Sequence, residues 1–393
     1  MSDQPEPEHG GLTPLMAANI PNIDRLAEMG RSGLLKTIPE RLHPGSEVAN
    51  LAVLGYDVEA VFEGRGVIEA ASIGVQLDEG DLALRCNLIC IADEKIKNHS
   101  AGHISTPEAL ELIEYLDENL GSESVKFYAG VSYRHLLVIR GGNKSLRCVP
   151  PHDVPGTPVK EVLPLSVNGT GESTALLLLE LIHKSRLLLE NHPVNQKRKA
   201  EGKDMANSIW PWSPGYKPAM KTLKEMFGIG SGAVISEVDL IQGIGVYAGL
   251  DVIKVEGATG LYDTNYEGKA LAAVEALKTH DFVYLHIEAS DEAGHEGDYE
   301  LKLKTIEYLD NRVVKYLVEE IAKMDEPVAI AILPDHPTPW KLKTHTRDAV
   351  PFFIWYPGIQ PDEVDRYDEI SAQKGGYGVL ESHEFMQELL KSN

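Results

Sequence analysis

The sequence is short of cysteine, of positive charge and of long apolar runs, and each shortage removes a class of protein. Three cysteines in 393 residues, Cys86, Cys90 and Cys148, build no disulfide framework, which points to the cytoplasm rather than an oxidising compartment. Cys86 and Cys90 stand four apart, but no further Cys or His joins them to complete a zinc site, so these thiols read as small core hydrophobes. No apolar run approaches the roughly 20 residues that span a bilayer. The polar, acidic start lacks the basic-then-apolar order of a signal peptide, and the sequon Asn168-Gly169-Thr170 is accordingly expected to be without meaning. Lys and Arg number 37 against 60 Asp and Glu, a net charge of −23, which argues against nonspecific nucleic-acid binding and against an anionic membrane surface. A chain this acidic that handles an anionic substrate must import positive charge locally, from metal ions or a few arginines.

What is present describes an ordinary globular protein, 43% hydrophobic and 25% charged, long enough for two domains with one inserted in the other. Residues 13–35 read as helix, with Leu15, Met16, Ile20, Ile23, Leu26 and Met29 near helical spacing and a second helix start at Pro21. Pro44-Gly45-Ser46-Glu47 is a tight turn leading into a helical run over 48–54. Between 80 and 207, apolar strands at 82–91, 125–128 and 135–139 alternate with helices at 107–120 and 176–191, which predicts a compact α+β unit. Residues 191–214 read as a connection, with Trp210 and Trp212 as a packed hinge. From Tyr216 onward, strands at 233–235, 251–255, 282–287, 329–333 and 352–355 are mostly separated by helices at 238–248, 269–279 and 301–323. That alternation predicts an α/β fold with a mostly parallel sheet flanked by helices. The expected division is a discontinuous core, 1–79 with 208–393, and an inserted smaller domain, 80–207.

The chemistry follows the strands. Asp291-Glu-Ala-Gly-His295 comes after the 282–287 strand and Asp335-His336-Pro-Thr after the 329–333 strand, while His345 lies before the strand at 352–355. Carboxyl ends of parallel strands share one edge, where ligands bind. Two Asp and three His delivered there make a metal site, and imidazole with carboxylate suits zinc or manganese. Asp291 and His295 are four apart, so one helical turn aims both at one ion; the adjacent Asp335 and His336 diverge and can help form a second site. Ser46, in a turn before a helical run, is the candidate nucleophile, placed where helix N–H groups favour a phosphate. With no local Ser-His-Asp arrangement, metal activation is the natural route. Gly243-Ile-Gly245 fits a loose dinucleotide pattern, but without a clear strand immediately before it, helix packing is the better account.

Together these residues resemble the alkaline-phosphatase superfamily, and within it the archaeal-type cofactor-independent phosphoglycerate mutases. The likeness runs through Gly11-Leu-Thr-Pro-Leu, Asn22-Ile-Asp-Arg-Leu, Pro44-Gly-Ser-Glu-Val-Ala-Asn, Leu54-Gly-Tyr-Asp, Arg85-Cys-Asn, Gly130-Val-Ser-Tyr-Arg-His, Pro151-His-Asp and Gly257-Ala-Thr-Gly. The resemblance implies two divalent ions (manganese or zinc, with magnesium a further option). Asp291, His295 and His345 would hold one ion, and Asp335, His336 and Ser46 the other. Ser46 would accept the phosphoryl group of 3-phosphoglycerate and return it to the 2-hydroxyl of glycerate, with the inserted domain excluding water. Arg85, Arg134, His135 and His152 would grip the small phosphorylated substrate, and Asp153 would shuttle a proton. Family members begin with a strand ending in Asp-Gly, whose Asp is a ligand on the serine side. This chain starts just after that point, so a weakened second site and low or absent activity are expected, with Asp3 at best a poor substitute. Competing expectations are a homoserine kinase, a metal-dependent phosphatase or phosphonate hydrolase, and a non-catalytic binding protein.

Overall fold

The computed structural model describes residues 1–391. Two compact units result, Met1–Phe62 with Met220–Asn393, and Glu63–Ala219. The junctions thus fall at 63 and 219 rather than at 80 and 207. The shift has a physical cause: helix Arg65–Ser72 and strand Ser208–Gly215 pack on strand Asp81–Ala92 and belong to its core.

The first unit holds two sheets. One runs Ile330–Ile332, Val350–Trp355, Arg31–Lys36, Gly378–Glu381 in spatial order; the other runs Asp251–Ile253, Gly232–Ile235, Phe282–Leu285. The second is wholly parallel, and in the first Arg31–Lys36 pairs in parallel with Gly378–Glu381. Val350–Trp355 runs antiparallel to both its neighbours, so the α/β character holds with one reversed strand. Helices cover these strands as the apolar periodicity requires. Helix Asp239–Tyr247 packs on Gly232–Ile235, and a Cβ at Gly245 would stand 2.5 Å from Val234 Cγ1. Close helix–strand packing therefore accounts for Gly245.

Three sequence expectations change. The 13–35 helix is Pro14–Ala17, then Pro21–Met29, then the strand Arg31–Lys36. Gly30 makes the break, because a Cβ there would lie 2.7 Å from the Ile354 carbonyl oxygen; the chain after it is captured by sheet pairing, which overrides helical propensity. The 301–323 helix is Tyr299–Tyr308 and Lys315–Ile321 joined by a π-helical turn, Leu309–Val314. The 191–214 connection is helix Pro193–Ala200 followed by strand Ser208–Gly215. That strand pairs along one edge with Asp81–Ala92, an edge position where proline is tolerated.

The second unit is built on Asp81–Ala92, which pairs with Arg134–Arg140, Lys95–Asn98 and Ser208–Gly215, with Val125–Tyr128 beyond Arg134–Arg140. Helices Thr106–Leu120 and Glu172–Leu189 supply Leu112, Leu116, Leu178 and Ile182 to its core. Cys86 and Cys90 are buried and free. No helix among the described residues is long and apolar enough to cross a membrane.

A cavity of about 730 Å³ lies in the first unit between strands Phe282–Leu285 and Ile330–Ile332, with Leu309, Val313 and Leu317 along it and Glu288, Asp291, Asp335 and His336 also in its lining. Both strands are sheet edges. Their residues are all apolar yet half-buried, whereas Gly232–Ile235 and Phe352–Ile354 are fully buried.

Candidate metal centre

Helix Ala289–Glu296, starting four residues after strand Phe282–Leu285, presents Asp291 and His295 one turn apart. His345 joins them, and one ligating atom from each of the three residues lies within 4.8 Å of the others. His295 Nε2 is 2.9 Å from His345 Nε2 and 3.2 Å from Asp291 Oδ2, and His345 Nε2 is 3.5 Å from Asp291 Oδ1. Ligands bound at about 2.0–2.1 Å in tetrahedral geometry stand roughly 3.3 Å apart. The observed separations bracket that value, so the donor set fits a divalent cation.

The second cluster is built the same way. Ser46 opens helix Ser46–Val53 behind Gly45, and its Oγ is 3.0 Å from His336 Nε2, which is 3.4 Å from Asp335 Oδ2. The His336 and His345 rings lie 3.8 Å apart between centroids, so the two clusters are neighbours. All six residues placed at the metals from the sequence thus converge in one unit, as two adjacent groups. Asp3, considered as a substitute ligand, is instead held in a fully buried ion pair with Lys302, Oδ2 to Nζ 2.6 Å.

Electrostatics agree with a cation. Burial opposes ionisation of Asp291, yet hydrogen bonds from His295 and His345 hold its carboxyl well below the usual range. His295 is pushed up to about 9, chiefly by its hydrogen bond to Asp291. Glu288 is raised well above the ordinary carboxylate value by burial and by the charges of Asp291 and Asp335. A pocket that crowds three carboxyl groups is one that positive charge relieves.

Several residues here escaped the sequence reading. Asn50 donates to Asp335 Oδ2 at 2.9 Å and to the Ser46 carbonyl at 2.8 Å, and accepts from the Tyr284 hydroxyl at 2.6 Å. A polar residue in the otherwise apolar run Val48–Val53 was the available signal. Lys269, fully buried, donates to the His286 carbonyl at 3.2 Å and pairs with Glu237. A lysine on the inward face of a helix could have marked it.

The expected substrate residues lie in the second unit. Arg85 is buried, 3.1 Å from Glu69 Oε2, with its guanidinium 4.5 Å from the Trp212 ring. His152 meets the same ring edge-on at 5.3 Å and lies 3.6 Å from Asp153. Trp212 is fixed by its N–H to Asn87 Oδ1 at 3.0 Å, and Trp210 by its N–H to the Val149 carbonyl at 2.8 Å. The two tryptophans are therefore strand residues rather than a hinge, and Trp212 props Arg85 and His152. Arg134 is exposed, with its guanidinium 5.9 Å from the Tyr133 ring centroid. His135 departs from expectation. It is buried, Nδ1 accepts the Gly130 N–H at 3.1 Å, and burial pushes it down to about 3. A neutral, enclosed imidazole does not grip an anion, so His135 is a core residue.

A model of the 2,3-bisphosphoglycerate-independent phosphoglycerate mutase family matches residues 27–195. The chain is 50% identical over 395 residues to a protein of that name from Methanosarcina acetivorans, covering 100% of this chain and 97% of the relative. Among solved structures it is similar to the PH0037 protein of Pyrococcus horikoshii (TM-score 0.84, 30% identity, covering 100% of this chain and 95% of that one). It is also similar to the cofactor-independent phosphoglycerate mutase of Thermoplasma acidophilum (TM-score 0.70, 26% identity, covering 100% and 96%).

Proposed function

We propose, from the premise that the chain belongs to the 2,3-bisphosphoglycerate-independent phosphoglycerate mutase family, that Ser46 carries the phosphoryl group between substrate positions. The chain is an enzyme of the isomerase kind, interconverting 3-phosphoglycerate and 2-phosphoglycerate. The homoserine kinase alternative finds no support among these relatives.

The observation that carries the proposal is the placement of Ser46 Oγ 3.0 Å from His336 Nε2, inside a cluster that also holds Asp335. Asp291, His295 and His345 would hold one divalent ion, and Asp335, His336 and Ser46 a second. Bound there, the ions supply Lewis-acid stabilisation of charge on the transferred group and a lowered serine pKa. The protein does the positioning. Asn50 fixes both Asp335 and the Ser46 backbone. Ser46, as the first residue of its helix, sets its phosphate at a helix N-terminus, where free N–H groups favour an anion. In the transfer, Ser46 Oγ attacks phosphorus as the bond to the 3-oxygen of glycerate breaks, and the 2-oxygen later takes the group back. Arg85, Arg134 and His152 would bind the anionic groups of the substrate, and Asp153 would carry a proton at its hydroxyls.

The test is to mix the chain with 3-phosphoglycerate and Mn²⁺, quench in acid, and map phosphate by peptide mass spectrometry. Phosphoserine at Ser46 is expected. Phosphate at another residue, with Ser46 unmodified during turnover, would sink the proposal.

A further inference from the structure

Thr338 sits between the two clusters without belonging to either. Its hydroxyl is hydrogen-bonded to Asp291 Oδ1 and lies 3.2 Å from His336 Nδ1. Its backbone is anchored on both sides, the N–H to the Ser2 carbonyl at 3.3 Å and the carbonyl to Lys302 Nζ at 2.7 Å. The residue is buried, as are Lys302 and His336. Helix Ala289–Glu296 comes so close that a Cβ at Gly294 would stand 2.5 Å from the Thr338 carbonyl oxygen. The glycine between Asp291 and His295 therefore lets the ligand-bearing helix press directly on this threonine.

Proton bookkeeping makes the arrangement directional. A hydroxyl has one hydrogen to give and lone pairs to accept with. The carboxylate of Asp291 can only accept, so the Thr338 hydrogen points to Asp291 Oδ1. Towards His336 the hydroxyl oxygen is then an acceptor, and Nδ1 must carry the ring hydrogen. That leaves Nε2 of His336 with a bare lone pair facing Ser46 Oγ and Asp335. One hydroxyl thus orients a carboxylate of the first cluster and sets the imidazole tautomer of the second.

We propose that Thr338 is a positioning residue that couples the two ligand clusters, holding Asp291 in place and keeping His336 in its Nδ1–H form with Nε2 free for a cation. The proposal rests on the two-ion reading above. Partners of this kind behind metal ligands typically change metal affinity by about 10- to 100-fold when removed.

The test uses the full chain with Thr338→Val, which keeps the shape and drops the hydroxyl, and Thr338→Ser, which keeps the hydroxyl. Calorimetric titration with Mn²⁺ is expected to show Thr338→Val weakened by about 10- to 100-fold, with Thr338→Ser near the parent. In the metal-free chain, nitrogen-15 NMR of His336 should show the Nδ1–H tautomer in the parent and Thr338→Ser, and a shift towards Nε2–H in Thr338→Val. Equal Mn²⁺ affinity in the parent and Thr338→Val, or a serine variant as weak as the valine one, overturns the proposal. An unchanged tautomer in Thr338→Val overturns it too, without reference to any metal. A parent chain with no Mn²⁺ affinity overturns the two-ion reading itself and this proposal with it.

Discussion

Lys302→Met removes an ammonium from a place water does not reach. Lys302 and Asp3 side chains are both 0% exposed, with Nζ 2.6 Å from Asp3 Oδ2. The same Nζ donates to the carbonyls of Ser2 at 3.1 Å and Thr338 at 2.7 Å. Methionine matches the volume of the stem but leaves a buried carboxylate facing an apolar group and two carbonyls without their donor. Breaking a buried pair from one side costs about 3–5 kcal/mol, a large part of the roughly 5–15 kcal/mol that holds a domain folded. Asp3 also accepts from the N–H groups of Gln4 and Trp340, which keeps the cost near the lower end of that range. Urea unfolding read by tryptophan fluorescence measures it. Asp3→Asn with Lys302→Met should lose less than the sum of the two single changes, with a coupling of at least about 1 kcal/mol. A single variant within about 0.5 kcal/mol of the parent, or strict additivity, would refute the reasoning.

One further outcome concerns pH. His295 is held at about 9 by Asp291, so in the metal-free chain its proton bond contributes stability fully below its ordinary value of about 6.5, lost as pH rises through 9. A cation must displace that proton. Mn²⁺ affinity should climb about tenfold per pH unit between 7 and 9, with buffer-dependent heats of proton release, and a flat profile would contradict this.

The parts legible in the sequence were those set by local pattern. The βα alternation after Tyr216 and the Asp and His residues after strands Phe282–Leu285 and Ile330–Ile332 were visible as local pattern, although the two strands lie in separate sheets and Ile330–Ile332 pairs antiparallel with its neighbour. Ser46 was legible through its turn. What failed was set by partners distant in the chain. Arg31–Lys36 is a strand because Val350–Trp355 and Gly378–Glu381 flank it, and Ser208–Gly215 is one despite Pro211 and Pro214 because a single edge suffices. Asp3 is taken up by Lys302, nearly 300 residues away. His135 shares a motif with Arg134, but Arg134 stands exposed at the start of its strand while His135 and the four residues after it are enclosed.

Conversion of 3-phosphoglycerate to 2-phosphoglycerate, coupled to removal of the product and run with and without Mn²⁺ on the chain and on Ser46→Ala, tests the central claim most directly. The account predicts turnover that requires the added cation and falls at least about a thousandfold in Ser46→Ala. Turnover by Ser46→Ala at the parent's rate would contradict it.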